Sequence, residues 1–478
     1  MISGSSKRAA ISRSTATKNH VSNLMKFLLL WFSAFMSGCM VGPKYSPPIT
    51  SNHGTYKAVG LTSPAPTGNW SAAFSDPTLK KLLTATESAN NNIAAAYARY
   101  NQARAILGLK RADRFPAVTG QALMARQQDT GNDIFELPKS PYRRYRSALN
   151  LDYEIDFWGR VRHSISKQEA LTQASANDYL TALLSTKAEL TRDYIALRHL
   201  DSEITLLNNT IKLRKENQKL VEARVNAGDT TTIDSLRAER QTETAIADLY
   251  RIKQRRNELE NAIAALTGAN PSLFRIKPSF PPPTPSIPSG VPAELLRRRP
   301  DVAATERRLA ASAEEIGIAI TNYLPRVSLT ARGGFASLSS SELFDSTSQL
   351  WNIGPSVTFP LLNMGNRKND KNRAKAIYYE ALAKHKQSIL IAFRDVENAL
   401  SGIKNLNISL AAQEKSAAAA GEAARLINLR YNTGLVSFFE VIEAERNHLI
   451  EQRMLVQTKA ARQQATVQLI QALGGGWK

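Results

Sequence analysis

The residues able to do chemistry are few and scattered. The 478-residue chain carries 6 histidines and 1 cysteine. His20, His53, His163, His199, His385 and His448 form no pair at a metal-binding spacing. No zincin, phosphate-loop, dinucleotide-loop or nucleophile-elbow motif accompanies them. Gly474-Gly475-Gly476 ends the chain with nothing after it to bind a phosphate, and the 7 methionines form no cluster of soft ligands such as a copper duct would use. Neither an enzymatic reaction nor a cofactor or metal site is expected. The one group with a telling context is Cys39. A single cysteine has no internal disulfide partner, so it is a free thiol or a modified one.

The context of Cys39 is a leader. Lys7, Arg8, Arg13, Lys18 and Lys26 precede an apolar run from Phe27 to Met36. That run is shorter than the roughly 20 residues of a membrane-spanning helix and suits a signal-peptide core. It ends in Met36-Ser37-Gly38-Cys39, which resembles a lipobox and makes Cys39 the expected lipidated first residue of the mature chain. Residues 1–38 are then the lipoprotein signal peptide, with translation starting at Met1 or Met25. Residues 39–70 form an extended, lipid-anchored segment. Removing the five basic residues before Cys39 lowers the formal charge from +21 to +16. A basic balance of this size suits nucleic acid or an anionic surface. An exported chain without interleaved basic and aromatic recognition motifs meets no genome, so the charges read as solvated helix faces or, alternatively, as facing anionic lipopolysaccharide or an acidic partner.

The elements that follow are written twice. Arg224-Val225-Asn226-Ala227-Gly228 answers to Arg430-Tyr431-Asn432-Thr433-Gly434, and Leu236, Ala238, Glu239 and Arg240 answer to Ile442, Ala444, Glu445 and Arg446, all at one offset of 206. The same offset pairs Gly159 with Gly365, Glu216 with Glu422 and Gly268 with Gly474. Spread this widely, the matches mean an internal duplication. The copies span residues 71–270 and 293–474. Residues 271–292, rich in proline, read as an extended linker between them.

Each copy reads as helix, strand, strand, long helix, turn, helix. Leu149, Leu151, Tyr153 and Ile155 alternate with Asn150, Asp152, Glu154 and Asp156, as Val327, Leu329 and Ala331 do with Ser328, Thr330 and Arg332. Strands are expected near 116–126, 146–157, 325–335 and 351–361, about the length that a tilted barrel strand needs. Proline is absent from Tyr142 to Asn270 and from Leu361 to Lys478. A single helix is therefore expected from 162 to 226, roughly 100 Å long at 1.5 Å per residue. Gly228 and Gly434 mark the turns at its far end and at the equivalent place in the second copy. Four strands cannot close a barrel, and an open sheet edge in lipid leaves backbone groups unpaired, so several chains must pool their strands.

Four segments carry a family resemblance: Cys39-Met40-Val41-Gly42-Pro43-Lys44-Tyr45 with Pro47-Pro48; Tyr153-Glu154-Ile155-Asp156-Phe157-Trp158-Gly159-Arg160; Val291-Pro292 through Leu295-Leu296-Arg297-Arg298-Arg299-Pro300-Asp301-Val302 to Glu306-Arg307-Arg308; and Arg430 to Gly434 with Ala444-Glu445-Arg446. Together they resemble the TolC superfamily of outer-membrane efflux lipoproteins, in the OprM- and NodT-like branch that serves RND pumps. Tyr323-Leu324-Pro325 departs from the two aromatics that this family often places before the proline.

The resemblance implies an α+β membrane protein: a homotrimer with four strands per chain in a shared twelve-stranded outer-membrane barrel, continued by a periplasmic α-helical barrel. It implies an exit duct for drugs or other small solutes, fed by an inner-membrane RND pump through a periplasmic adaptor. Gly228, Asp229 and Thr230, with Gly434, Leu435 and Val436, fall at the family's adaptor-contact tips. Glu422 and Arg425, with Glu216 and Lys219, fall where its tunnel closes and are candidates for a latch between neighbouring helices. Arg297, Arg298 and Arg299 read as the structural elbow ahead of a helix that opens at Pro300-Asp301. A duct for type I protein secretion shares the fold, and a coiled-coil structural or adhesive lipoprotein is the alternative of another class.

Overall fold

The computed structural model describes residues 40–48, 57, 74–128, 130, 141–285, 298–359, 361, 362 and 364–475. Cys39, the leader, most of 49–73, the 131–140 loop and Arg297 lie outside the described residues. In chain order the elements are α1 (Pro77–Ala89), α2 (Asn91–Ala112), β1 (Ala117–Gln127), β2 (Tyr142–Ile155), α3 (Arg160–Asn226), α4 (Thr232–Leu266), α5 (Pro300–Thr321), β3 (Arg326–Ser337), β4 (Gln349–Thr358), α6 (Met364–Asn432) and α7 (Phe438–Ala472). The described residues divide into two compact units. One is built on residues 102–172 and 307–382 with the 40–47 strap, the other on 74–101, 173–306 and 383–475.

The first unit holds one antiparallel sheet of order β1-β2-β3-β4. β2 begins at Tyr142, four residues before the expected start, because the ladder to β1 continues out to the Gln127–Tyr142 pair. The alternation is locally weak there, but a hydrogen-bonded partner carries the strand on. Every strand end that joins a helix lies at one end of the sheet, and both hairpin connections lie at the other.

The second unit is helical. α3 has 67 residues and α6 has 69, each about 100 Å of helix. Among the described residues no helix is long and apolar enough to cross a membrane. The unit's largest apolar cluster joins Phe74, Leu79, Leu83, Leu190, Tyr194, Ile195, Ile263 and Val467. α1 enters that cluster because its start is well specified. Asp76 accepts from the Thr78 and Leu79 backbone N–H groups at 2.8 and 3.1 Å, with Pro77 in the first turn. The Tyr194 hydroxyl donates to the same Asp76 at 2.7 Å, and burial helps push its pKa up to about 12.

The described part of the proline-rich segment is clamped in place. Residues 274–285 have no regular structure, yet they are clamped to the helices of the second unit. Ile276 N–H donates to Glu260 and its carbonyl accepts from Arg256, both at 2.6 Å. The Lys277 carbonyl accepts from Arg198 at 2.6 Å, and Ser279 N–H donates to Asp201 at 3.1 Å. Gln463 donates to the Pro282 carbonyl at 2.6 Å. A proline-rich chain makes no ladder of its own, so its backbone polar groups must find side chains or water. Here buried and half-buried polar side chains, most of them charged, supply the partners.

Arg299 is likewise structural. Its guanidinium binds Asp301 at 2.7 and 3.0 Å, Asp395 at 3.2 Å and the Ala472 carbonyl at 3.3 Å. Burial opposes its charge, but the two carboxylates outweigh burial and its pKa rises.

Channel wall and helical tips as the candidate functional site

The register assigns every strand residue to a face, because residues directly opposite in an antiparallel pair point the same way. One face gathers Val118 and Met124 of β1, Leu149, Leu151, Tyr153 and Ile155 of β2, Val327, Leu329 and Phe335 of β3, and Trp351, Ile353 and Val357 of β4. The other gathers Thr119, Gln121, Arg144, Arg146, Asn150, Asp152, Glu154, Ser328, Thr330, Arg332, Asn352 and Ser356. On this polar face Arg332 donates to Asn150 at 2.8 Å. Glu154 holds Arg160 through two bonds of 2.6 and 2.7 Å, and Arg326 approaches it at 3.6 Å. Among the described residues no layer of the chain covers the apolar face: Trp351 is 78 % and Ile353 is 65 % exposed. Among the described residues both outer strands, β1 and β4, end the sheet with an unpaired edge.

A strap of residues 40–47 is fixed at the helix end of this sheet. Val41 N–H donates to the Trp158 carbonyl at 3.2 Å. Met40 lies so close to Gly159 that a Cβ there would come within 2.9 Å of its side chain, and Gly159 also has a positive φ of 82°. His163 secures the strap. Its Nδ1 lies 2.6 Å from the Glu314 carboxylate and its Nε2 3.2 Å from the Val41 carbonyl, while Gly42 and Gly317 press on its ring. Tyr45 then packs with Ala170, Ala310 and Ala311. Sequence reasoning named His163 only as an isolated histidine. Its partners are 122 and 151 residues away, and no local pattern links them. Trp158 itself donates its indole N–H to the Pro325 carbonyl at 2.8 Å, tying β2's end to β3's start.

In the second unit the two helical tips close in the same way. Gly228 N–H bonds to Val225 and Asp229 N–H to Arg224, just as Gly434 N–H bonds to Tyr431 and Leu435 N–H to Arg430. This double bond pattern ends a helix on a left-handed residue, and φ is 82° at Gly228 and 76° at Gly434. Gly228, Asp229, Gly434 and Leu435 are exposed, and Thr230 and Val436 are half-buried. Thr230 donates its hydroxyl to Asp234 at 2.7 Å, whereas Leu435 leaves an apolar side chain 74 % exposed. Behind the tips Val221, Ala238, Tyr431, Phe438, Val441 and Ile442 form an apolar cluster that binds the two hairpins together.

Of the latch candidates, Glu422 and Arg425 pair with each other at 2.8 and 2.9 Å along one helix, three residues apart and exposed. The hydrogen bond from Arg425 lowers the pKa of Glu422, and the reverse contact raises that of Arg425. Glu216 and Lys219 are exposed on α3. The repeat is also broken at one end: Gly159 is left-handed, but its counterpart Gly365 lies within α6. Among the described residues no group of three or more His, Cys, Asp or Glu side chains is placed to hold a metal ion.

A sheet apolar on one face and polar on the other, with unpaired edges and helices of about 100 Å at one end of its strands, defines a class: channels that span an outer membrane by strands and continue in helices. Residues 82–269 and 291–475 each match the model described as "Outer membrane efflux protein", so the chain belongs to that family of outer-membrane efflux channels and contains its unit twice. The outer membrane protein OprJ of Pseudomonas aeruginosa is 28 % identical over 92 % of this chain and 94 % of its own length. The cation efflux system protein CusC of Escherichia coli O6:H1 is 25 % identical, over 95 % and 99 %. Among solved structures, the outer-membrane channel OprN superposes with a TM-score of 0.85 at 30 % identity, covering 92 % of this chain and all of that one.

Proposed function

We propose that three copies of this chain pool their strands into one twelve-stranded barrel, the passive exit duct of a tripartite efflux pump. The observation that carries this is the register, which gathers most of the large apolar residues of all four strands on one exposed face and most of the polar ones on the other. In a barrel the apolar face meets lipid and the polar face lines a watery lumen. The free edges of β1 and β4 find partners in neighbouring copies, so no backbone group stays unpaired in lipid. Two copies would give eight strands, a barrel filled by its own side chains; three give a lumen.

The tips at Gly228-Asp229-Thr230 and Gly434-Leu435-Val436 contact a periplasmic adaptor, which delivers drugs or other small solutes from an inner-membrane RND transporter. Cys39 carries the lipid anchor. Its neighbour Met40 packs at the end of β2, the level at which a barrel strand leaves the membrane, and an acyl chain on Cys39 reaches the inner leaflet from there. The chain performs no catalysis and takes its energy from the transporter. Glu422 with Arg425, and Glu216 with Lys219, narrow the tunnel mouth when copies assemble.

The test is drug accumulation in a strain lacking this protein, complemented with wild type or with Gly434→Trp. Loss of the protein is expected to raise accumulation. Gly434→Trp is expected to form detergent-resistant, conducting trimers and still fail to rescue. Unchanged accumulation for every compound in the deletion strain would count against solute efflux, and rescue by Gly434→Trp against tip docking.

A further inference from the structure

Above the apolar band of the sheet two arginines stand directly opposite each other. Arg126 of β1 pairs in register with Arg143 of β2 on the same face as Met124, Leu149 and Ile353. Both side chains are exposed, and neither forms an ion pair with another described residue. Like charges directly opposite across a ladder are unfavourable, so the pair gains from an anion between them. Their height is set by the strand. Arg143 lies ten residues above Tyr153, roughly 34 Å along β2 at about 3.4 Å per residue. At the roughly 35–45° tilt of barrel strands this is about 24–28 Å of height, the thickness of the apolar band. With Tyr153 and Trp158 at the periplasmic boundary, the arginine pair falls in the phosphate plane of the outer leaflet.

Beneath the pair the same face is indented. Gly120, Ala122, Ser147, Leu149, Gly333, Phe335 and Phe344 line a groove of about 550 Å³. Its wall is an aromatic pair, Phe335 and Phe344, with ring centres 5.5 Å apart. A Cβ added at Gly333 would meet nothing within 4 Å, so the floor is open.

Resting on the barrel reading above, we propose that Arg126 and Arg143 clamp the phosphates of a phosphorylated glycolipid of the outer leaflet, with one of its acyl chains seated in the Gly120–Gly333 groove. Two guanidinium forks facing one phosphate give charge-assisted, bidentate bonds. The groove lies about four residues, roughly 14 Å, below them, within the reach of an acyl chain that hangs from that headgroup. The site gives a chain that keeps a formal charge of +16 without the five basic leader residues a place to use basic residues outside the lumen.

The test is native mass spectrometry of the full-length trimer taken from nanodiscs that hold equal amounts of lipid A and phosphatidylglycerol. Wild type is expected to retain lipid A over phosphatidylglycerol. The double variant Arg126→Gln with Arg143→Gln is expected to lose about tenfold of that retention. Gly333→Phe, which fills the groove, also lowers it, and Arg144→Gln, on the lumen face, leaves it unchanged. Conductance of each variant reports that the barrel is intact. Equal retention of lipid A by the double variant, or equal retention of the two lipids by wild type, would overturn the site. Failure of wild type itself to form conducting trimers would count against the barrel reading, and the site would fall with it.

Discussion

The two copies share an order of elements and differ in what they were given to hold. In the first, Arg198, Asp201 and Glu260 are buried and grip the proline-rich segment. At the offset of 206 the second copy has Lys404, Asn407 and Thr466. Lys404 and Asn407 are exposed. The tips diverge in the same way: Asp229-Thr230-Thr231-Thr232 in the first copy stands where Leu435-Val436-Ser437-Phe438 stands in the second. Phe438 is buried against Tyr431, ring centres 5.5 Å apart, while Thr232 is exposed. Glu445 is half-buried and accepts from Asn217 at 2.9 Å, but its counterpart Glu239 is exposed. Duplication supplied the hairpin twice. Afterwards one copy became the mount for the linker and the other the apolar half of the tip.

The largest effects separate the copies most sharply. Asp201→Ala leaves Arg198 and Arg256 without their shared buried carboxylate and is expected to destabilise by about 3–5 kcal/mol. Asn407→Ala on the exposed face of the other copy should stay within about 0.5 kcal/mol. Urea unfolding of detergent-solubilised protein measures both, and equal losses would erase the distinction. Next, Phe438→Ala opens a cavity between the hairpins at about 3–5 kcal/mol, and Thr232→Ala is near neutral. Proteolysis localised to the tips is the sensitive readout.

Replacing either tip glycine tests where the copies remain alike. Gly228→Ala and Gly434→Ala each force a residue with a Cβ into the left-handed region, at about 1–2 kcal/mol. The two losses should match. A much larger loss at one tip would show that its turn carries more than helix termination.

The smallest effect is a pH slope. Burial raises the pKa of Glu445 above its ordinary value, so the folded state holds a proton that the unfolded state releases first. Stability from this group is therefore full at acidic pH and declines as pH rises from the ordinary carboxylate range through the raised value. Glu445→Gln should flatten that part of a melting-temperature profile, and Glu239→Gln should leave it unchanged.

Much of this architecture was legible in the chain. Alternation at Leu149–Ile155 and Val327–Ala331 marked the strands. The proline-free stretches marked the helices, and the offset of 206 marked the duplication. The face assignment of each strand followed once the register was known. What stayed hidden were pairings between distant positions. Nothing near His163 announces Glu314 or Val41. Nothing near Ile276 announces Glu260 and Arg256, so the clamp on the extended linker was not legible. The latch candidates were placed by analogy, and within one chain Glu422 and Arg425 pair at a helical spacing of three.

The sequence by itself determined the local elements, the twofold repetition and the glycine turns, because periodicity, proline exclusion and left-handed glycine act over a few residues. Only the tertiary structure decided that β1 and β4 are the open edges, that the apolar residues of four separate strands share one face, and that a buried histidine pins the strap beside Cys39. Those outcomes depend on hydrogen-bond register and on contacts across a hundred residues or more, which no short stretch of chain encodes.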